Sequence, residues 1–229
     1  MDELGTFSTK HNIPVTQTVM GYSTMKKDHS HFLGPIGGLG GKAANNFAKQ
    51  TDLAIAVGTK LADFTTGSWA NFENPNFSLV SINVARFDAN KHMAQSVIGD
   101  AKVSLTELSQ VLGDWRAPDD WYKKSRDELK SWNEYIDKES GPTNQELPSY
   151  AHAVGAIYRN SDPTDIAVTA AGGLVGEVVQ VWRPKELNTH ETESVSYTHL
   201  RAHETREDRG WPLVREKKKG GGGGGGGGG

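Results

Sequence analysis

The chain has 229 residues, a net charge of −3 and no cysteine. The missing cysteines exclude a disulfide framework and thiolate chemistry, and a mildly acidic chain without a basic stripe is not the footprint of a nucleic-acid binder. No apolar run is long enough to cross a bilayer and no secretory leader stands in front, so the expectation is a cytoplasmic protein with no membrane partner.

The first twelve residues, MDELGTFSTKHN, read as the end of a helix, and residues 13–18 as a short β-branched strand. Residues 34–41, GPIGGLGG, form a glycine-rich turn opening onto a short helix with Ala43, Ala44, Phe47 and Ala48 on one face. Residues 53–58, LAIAVG, are apolar without alternation, the signature of a parallel strand covered on both faces. Further strands are expected at 77–84 and 96–100. Ser104 and Glu107 fit a capping box, followed by Leu105, Leu108, Val111, Leu112 and Trp115 at helical spacing. Pro118 begins a charged helix whose apolar stripe is Leu129, Trp132 and Ile136, so it lies on a surface. Gly141, Pro142, Thr143 and Asn144 end it as a linker. A second α/β unit then starts: a helix over 150–159, a strand over 166–169, a glycine turn and a helix over 174–182.

Residues 194–229 differ in kind. They carry seven basic and four acidic side chains, leaving residues 1–193 at −6, and they end in ten glycines. Residues 195–205, VSYTHLRAHET, read as one frame of a transposase-type sequencing adapter, and the glycines as a run of G. The expectation is a translated artefact, a disordered tail outside the fold; a genuine flexible tail is the alternative.

Three patterns carry candidate chemistry. Gly38-x-Gly40-x-x-Ala43 matches the relaxed dinucleotide fingerprint, but no convincing strand leads in and no acidic residue closes a second strand. A tight strand-to-helix turn is the competing reading. The segment is not a phosphate-cradling P-loop, because Ile36 and Ala43 stand where glycine and Ser/Thr are needed. His29 and His31 beside Asp28 could suggest a metal cluster, yet their spacing and lysine-flanked setting favour a solvated loop. Thr169, then Ala170, Ala171, Gly172, Gly173 and Leu174, is the better candidate. A strand ending in glycines and feeding a helix places amides at the carboxyl edge of a parallel sheet, where α/β proteins hold phosphates.

Residues 14–21, His29 and the spaced glycines of 34–41 resemble the central domain of thiamine-diphosphate enzymes of the acetolactate-synthase type. Residues 56–69, AVGTKLADFTTGSW, and 81–92, SINVARFDANKH, are similar to one branch of that family, the 3D-(3,5/4)-trihydroxycyclohexane-1,2-dione hydrolases of myo-inositol breakdown. Residues 168–174 with Trp182 and Arg183 resemble the opening of the family's pyrophosphate domain. The similarity runs from about residue 4 to Glu193.

The resemblance implies a doubly wound, Rossmann-like parallel α/β sheet. Its domains would be a central domain over 1–116, a helical linker over 117–148, the start of a pyrophosphate-binding domain over 149–193 and the tail over 194–229. It further implies thiamine diphosphate and Mg²⁺ as cofactors, a cyclic dione as substrate, a homo-oligomeric intact enzyme and backbone contact of Gly172, Gly173 and Leu174 with the cofactor's diphosphate. In this family the activating glutamate lies upstream of Met1 and the Mg²⁺-holding Gly-Asp-Gly…Asn motif downstream of Glu193. Gly99 and Asp100 instead resemble the pair that closes the central domain. The 229 residues alone are therefore expected to be inactive. The alternatives are an acetolactate-synthase-like enzyme acting on 2-keto acids, and a non-catalytic nucleotide module built on Gly38–Ala43.

Overall fold

The computed structural model describes residues 2–169 and 172–192. Residues 194–229, with Glu193, Ala170 and Ala171, lie outside the described residues, and so does the expectation of a disordered tail.

Helix α1 (Asp2–His11) leads into β1 (Val15–Gln17), which pairs in parallel with β2 (Phe32–Pro35). Then come α2 (Lys42–Ala48), β3 (Leu53–Val57), the single turn α3 (Asp63–Thr66), β4 (Ser78–Asn83), the single turn α4 (Arg86–Ala89), β5 (Gln95–Ile98) and α5 (Ala101–Leu112). β3, β4 and β5 form a second parallel sheet in that order. The long α6 (Asp119–Glu139) is followed by α7 (Tyr150–Asn160), β6 (Ala167–Thr169), α8 (Leu174–Val181) and β7 (His190–Thr192), with β6 and β7 parallel. Every sheet among the described residues is parallel with helices against it, so the α/β class holds.

Burial explains the order. Ala43, Ala44, Phe47 and Ala48 of α2 are all buried and meet Phe32, Leu33 and Leu129 in one cluster. Leu129 comes from α6, whose inward face also buries Ser125 and Ile136. Trp132 packs against both this cluster and a second one built from Ile136, Val154, Tyr158, Val178, Val181 and Trp182. The charged helix is thus a surface helix that joins two cores, its outer side carrying the ion pairs Lys123–Asp127 and Lys130–Glu134 at the four-residue spacing that suits a helix. Arg126 of α6 donates to the carbonyls of Ser30 (2.8 Å) and Phe32 (2.7 Å), pinning the helix to the start of β2.

Four local expectations change. First, β2 was not visible in the sequence, because a four-residue strand containing Gly34 and Pro35 has almost no β signature. Second, α5 starts at Ala101, not Ser104: the Asp100 carboxylate accepts from the Val103 amide at 3.0 Å and caps the helix one turn earlier. Val111, placed on the apolar stripe, is 85 % exposed. Third, β3 has clusters on both faces, yet of its five residues only Ala56 is buried and Leu53 is half exposed. Fourth, His31 is not in a solvated loop. It is buried, with its ring nitrogens against Ser30 Oγ (2.8 Å) and Asn12 Oδ1 (3.2 Å). Burial, helped by His29, Arg126 and Arg116 nearby, lowers its pKa from 6.5 to about 4.

Candidate functional site

The two glycine turns singled out by sequence sit in opposite circumstances. After β2, the chain turns through Gly37 at φ +113°. The Gly37 amide donates to Asn45 Oδ1 (2.9 Å), and Asn45 Nδ2 returns a bond to the Gly37 carbonyl (2.9 Å). The Gly38 amide donates to the Phe64 carbonyl (2.7 Å), Gly40 to Gly37 (2.9 Å) and Gly41 to Pro35 (2.8 Å). A Cβ at Gly37 would overlap the Phe64 carbonyl oxygen, and one at Gly40 would come within 2.5 Å of the Ile36 carbonyl carbon and 2.6 Å of the Pro35 carbonyl oxygen. These glycines are needed for close packing, and their amides are already engaged. A strand does lead into the fingerprint, which removes one objection to a dinucleotide site, but the amides of Gly37, Gly38, Gly40 and Gly41 are not free to hold a pyrophosphate. Asn45, which mimics a paired backbone, was not singled out in the sequence; its place inside an otherwise small and apolar helix face was the available signal.

The second turn joins β6 to α8. Gly172 has φ +143°, in the region that favours glycine, and Gly173 is the N-cap of α8 with no side-chain cap. A Cβ at either glycine would meet nothing within 4 Å. Gly172, Gly173 and Leu174 are all exposed. Val175, Val178, Val179 and Val181 on the inner face of α8 are buried, Val178 and Val181 within the cluster that α7 completes, so the helix N-terminus is held rigidly at the carboxyl end of β6.

Gly172, Val175 and Thr192 also line a cavity of about 1880 Å³ that reaches Thr18, Met20 and Gly21 after β1 and Gly58, Lys60 and Phe64 after β3. The carboxyl ends of β1, β3 and β6 therefore open on one space. Thr169 Oγ1 and Thr192 Oγ1 lie 3.2 Å apart. His190, beside them, is buried with its ring edge-on to Tyr22 at 5.1 Å, and burial lowers its pKa to about 4. It is neutral at physiological pH and has no charge to offer an anion.

The turn can hold an anion by backbone alone, since the first amides of a helix carry partial positive charge. Glu177 in the first turn of α8 opposes this and tempers the attraction. Gly172, Gly173 and Leu174 form an open turn at a helix N-terminus. Among the described residues no group of three or more His, Asp or Glu side chains is placed to hold a metal. No helix among them is long and apolar enough to cross a membrane.

Residues 1–108 match the family model described as thiamine pyrophosphate enzyme, central domain. The chain is also 32% identical over 214 residues to the 3D-(3,5/4)-trihydroxycyclohexane-1,2-dione hydrolase of Clostridium perfringens strain 13, an alignment covering 82% of this chain and 33% of the relative. It is 33% identical over 211 residues to the protein of the same name from Geobacillus thermodenitrificans, covering 82% and 32%. For the Bacillus anthracis protein the identity is 31% over 216 residues, covering 84% and 34%. The chain thus spans about a third of the length of the curated relatives it matches. With their parallel sheets, helical flanks and glycine turn, residues 1–108 are similar to the central domain of thiamine pyrophosphate enzymes, in a chain similar to the trihydroxycyclohexanedione hydrolases.

Proposed function

We propose that the chain is part of a thiamine-diphosphate-dependent hydrolase that opens the ring of 3D-(3,5/4)-trihydroxycyclohexane-1,2-dione by C–C cleavage in myo-inositol breakdown. One observation carries this reading: the similarity to those hydrolases covers 82% of the chain, more than the 108 residues that the central-domain model matches. The domain boundaries then follow the sequence reading: central domain 1–116, helical linker 117–148 and pyrophosphate-domain start 149–193.

Thiamine diphosphate, when bound, supplies the electron sink for the bond cleavage; the protein supplies position and electrostatics. Here Gly172, Gly173 and Leu174 would hold the diphosphate through backbone amides, with Cβ-free space for its oxygens. Val175 and Val178, buried behind them, keep that turn from moving. The described residues offer no cluster for Mg²⁺, so no step is assigned through it. The intact enzyme is taken to be cytoplasmic and homo-oligomeric, and the 229 residues alone to be without turnover.

The test is to sequence the source DNA with long reads across the codon of Glu193, express the complete enzyme and assay it with thiamine diphosphate. Ring opening of the dione supports the reading. An enzyme that leaves the dione intact and decarboxylates 2-keto acids belongs to the acetolactate-synthase-like alternative and ends the proposal.

A further inference from the structure

The two α/β units meet along a seam. Residues 22–27, between β1 and β2, lie against residues 183–190, which follow α8 and run into β7. The Lys27 amide donates to the Pro184 carbonyl (3.0 Å), and the Asn188 amide to the Ser23 carbonyl (3.0 Å). Lys26 pairs with Glu186 at 2.6 Å, and the Tyr22 ring meets His190 edge-on. Tyr158 of α7 stands at the end of this seam. Its hydroxyl accepts from Lys27 Nζ (2.9 Å) and donates to the Arg183 carbonyl (3.0 Å). Lys185 Nζ donates to the carbonyls of Tyr158 (3.3 Å) and Ser161 (2.8 Å). The ammonium groups of Lys27 and Lys185 lie 5.4 and 4.7 Å from the Tyr158 ring centroid, within cation–π reach.

Each side of the seam runs on along the chain into a wall of the large cavity. Thr18, Met20 and Gly21 line it just before residue 22, and Thr192 lines it just after residue 190. β7 passes its placement to β6: the Ala167 amide donates to the Thr189 carbonyl (3.0 Å), and the two threonine hydroxyls of 169 and 192 lie 3.2 Å apart. β6 in turn leads to Gly172, which lines the same cavity. A seam that slides therefore moves the 172–174 turn relative to Thr18, Met20 and Gly21. The Lys26–Glu186 pair is half exposed and holds little. The Tyr158 hydroxyl belongs to a buried residue and joins the first unit, α7 and the loop before β7 at one atom.

We infer that Lys27 is a positioning residue for the 172–174 turn: its ammonium, bonded to the Tyr158 hydroxyl, fixes the loop before β7 and so the span from Gly172 to the opposite cavity wall. The inference rests on the proposed seating of thiamine diphosphate at that turn. Lys27 does not line the cavity and acts through Tyr158 and the loop. A lysine suits the task, because its long stem crosses the seam and a charged donor bonds the phenol oxygen more strongly than a neutral one. Lys27 is exposed and its backbone bond to Pro184 does not need the side chain, so loss of the ammonium leaves both cores filled.

The test compares Lys27→Met, Lys27→Arg and Tyr158→Phe with the unchanged complete enzyme. Affinity for thiamine diphosphate is read by tryptophan fluorescence, kcat on the dione at saturating cofactor, and the melting temperature without cofactor. Lys27→Met and Tyr158→Phe are expected to weaken cofactor binding about tenfold while kcat at saturation stays within about twofold, the pattern of a lost binding geometry with the chemistry intact. Lys27→Arg, which keeps a charged donor, should recover most of the affinity, and Lys27→Met should melt where the unchanged enzyme does. Unchanged cofactor affinity in Lys27→Met overturns the inference. So does a loss in Lys27→Arg as large as in Lys27→Met, or an affinity loss that only follows a fallen melting temperature. If the unchanged enzyme binds the cofactor and opens the ring in any of these cases, the proposed function stands and the role of Lys27 alone falls; an enzyme that binds no thiamine diphosphate ends both.

Discussion

Two glycine turns, each ending a parallel strand and opening a helix, look alike in sequence and are used differently. At residues 37–41 the glycines let two backbones touch, and the amides of Gly37, Gly38, Gly40 and Gly41 are spent on Asn45, Phe64, Gly37 and Pro35. At Gly172 and Gly173 no atom lies where a Cβ would be. The lesson is that a glycine pattern reports only that a side chain is unwelcome. What excludes it, the protein's own backbone or an incoming ligand, is decided by the surroundings.

The largest effect that could break this contrast is a methyl group in the first turn. Gly40→Ala sets its Cβ against Ile36 and Pro35 and is expected to destabilise by about 4 kcal/mol in urea unfolding. A loss below about 1 kcal/mol would mean that the turn is loose and its amides can be released. Next comes the helix that backs this turn. Leu129→Ala empties a fully packed position between α6 and α2 and should lose about 3 kcal/mol, measured in the same way.

The two regions can also be compared through their histidines. His31 precedes β2 and His190 opens β7, and burial holds both near 4 against 6.5 unfolded. Between those values the unfolded chain binds protons that the fold refuses. The stability is therefore full above pH 6.5 and declines as pH falls toward 4. Melting temperature should drop between pH 7 and pH 5, and His31→Gln and His190→Gln should each flatten part of that drop. An unchanged slope in both variants would show that neither imidazole is held neutral.

Helix starts sharpen the contrast further. α5 is capped by the Asp100 carboxylate, whereas α8 has no side-chain cap. Asp100→Ala should lose about 1 kcal/mol. The smallest effect on stability belongs to Gly173→Ala: its φ of −62° suits any residue, so the fold should be unchanged or gain about 0.5 kcal/mol, while binding of thiamine diphosphate falls at least tenfold. Equal affinity in that variant would remove Gly173 from the diphosphate site.

Much of the fold was legible because its signals are local. The apolar spacing of α2 and the stripe of α6 translate into burial, and the unalternating run of β3 marks a parallel strand though not its exposure. β2 was not legible, since its place is set by pairing with β1 and by Arg126 of a helix some ninety residues away. The same holds for His31, whose burial depends on Asn12 and Tyr122 arriving from other elements. For the site, the glycine turn at 172–174 could be found by pattern. The turn at 34–41 could not be dismissed without seeing Asn45 and Phe64, because its amides are satisfied through tertiary contacts.

The most direct test of the contrast is a titration of the chain with thiamine diphosphate, followed through the amide resonances of both turns. Saturable shifts are expected at Gly173 and Leu174, with Gly38, Gly40 and Gly41 unmoved. Shifts confined to Gly38, Gly40 and Gly41 would contradict it, and so would saturable binding that leaves Gly173 and Leu174 where they were.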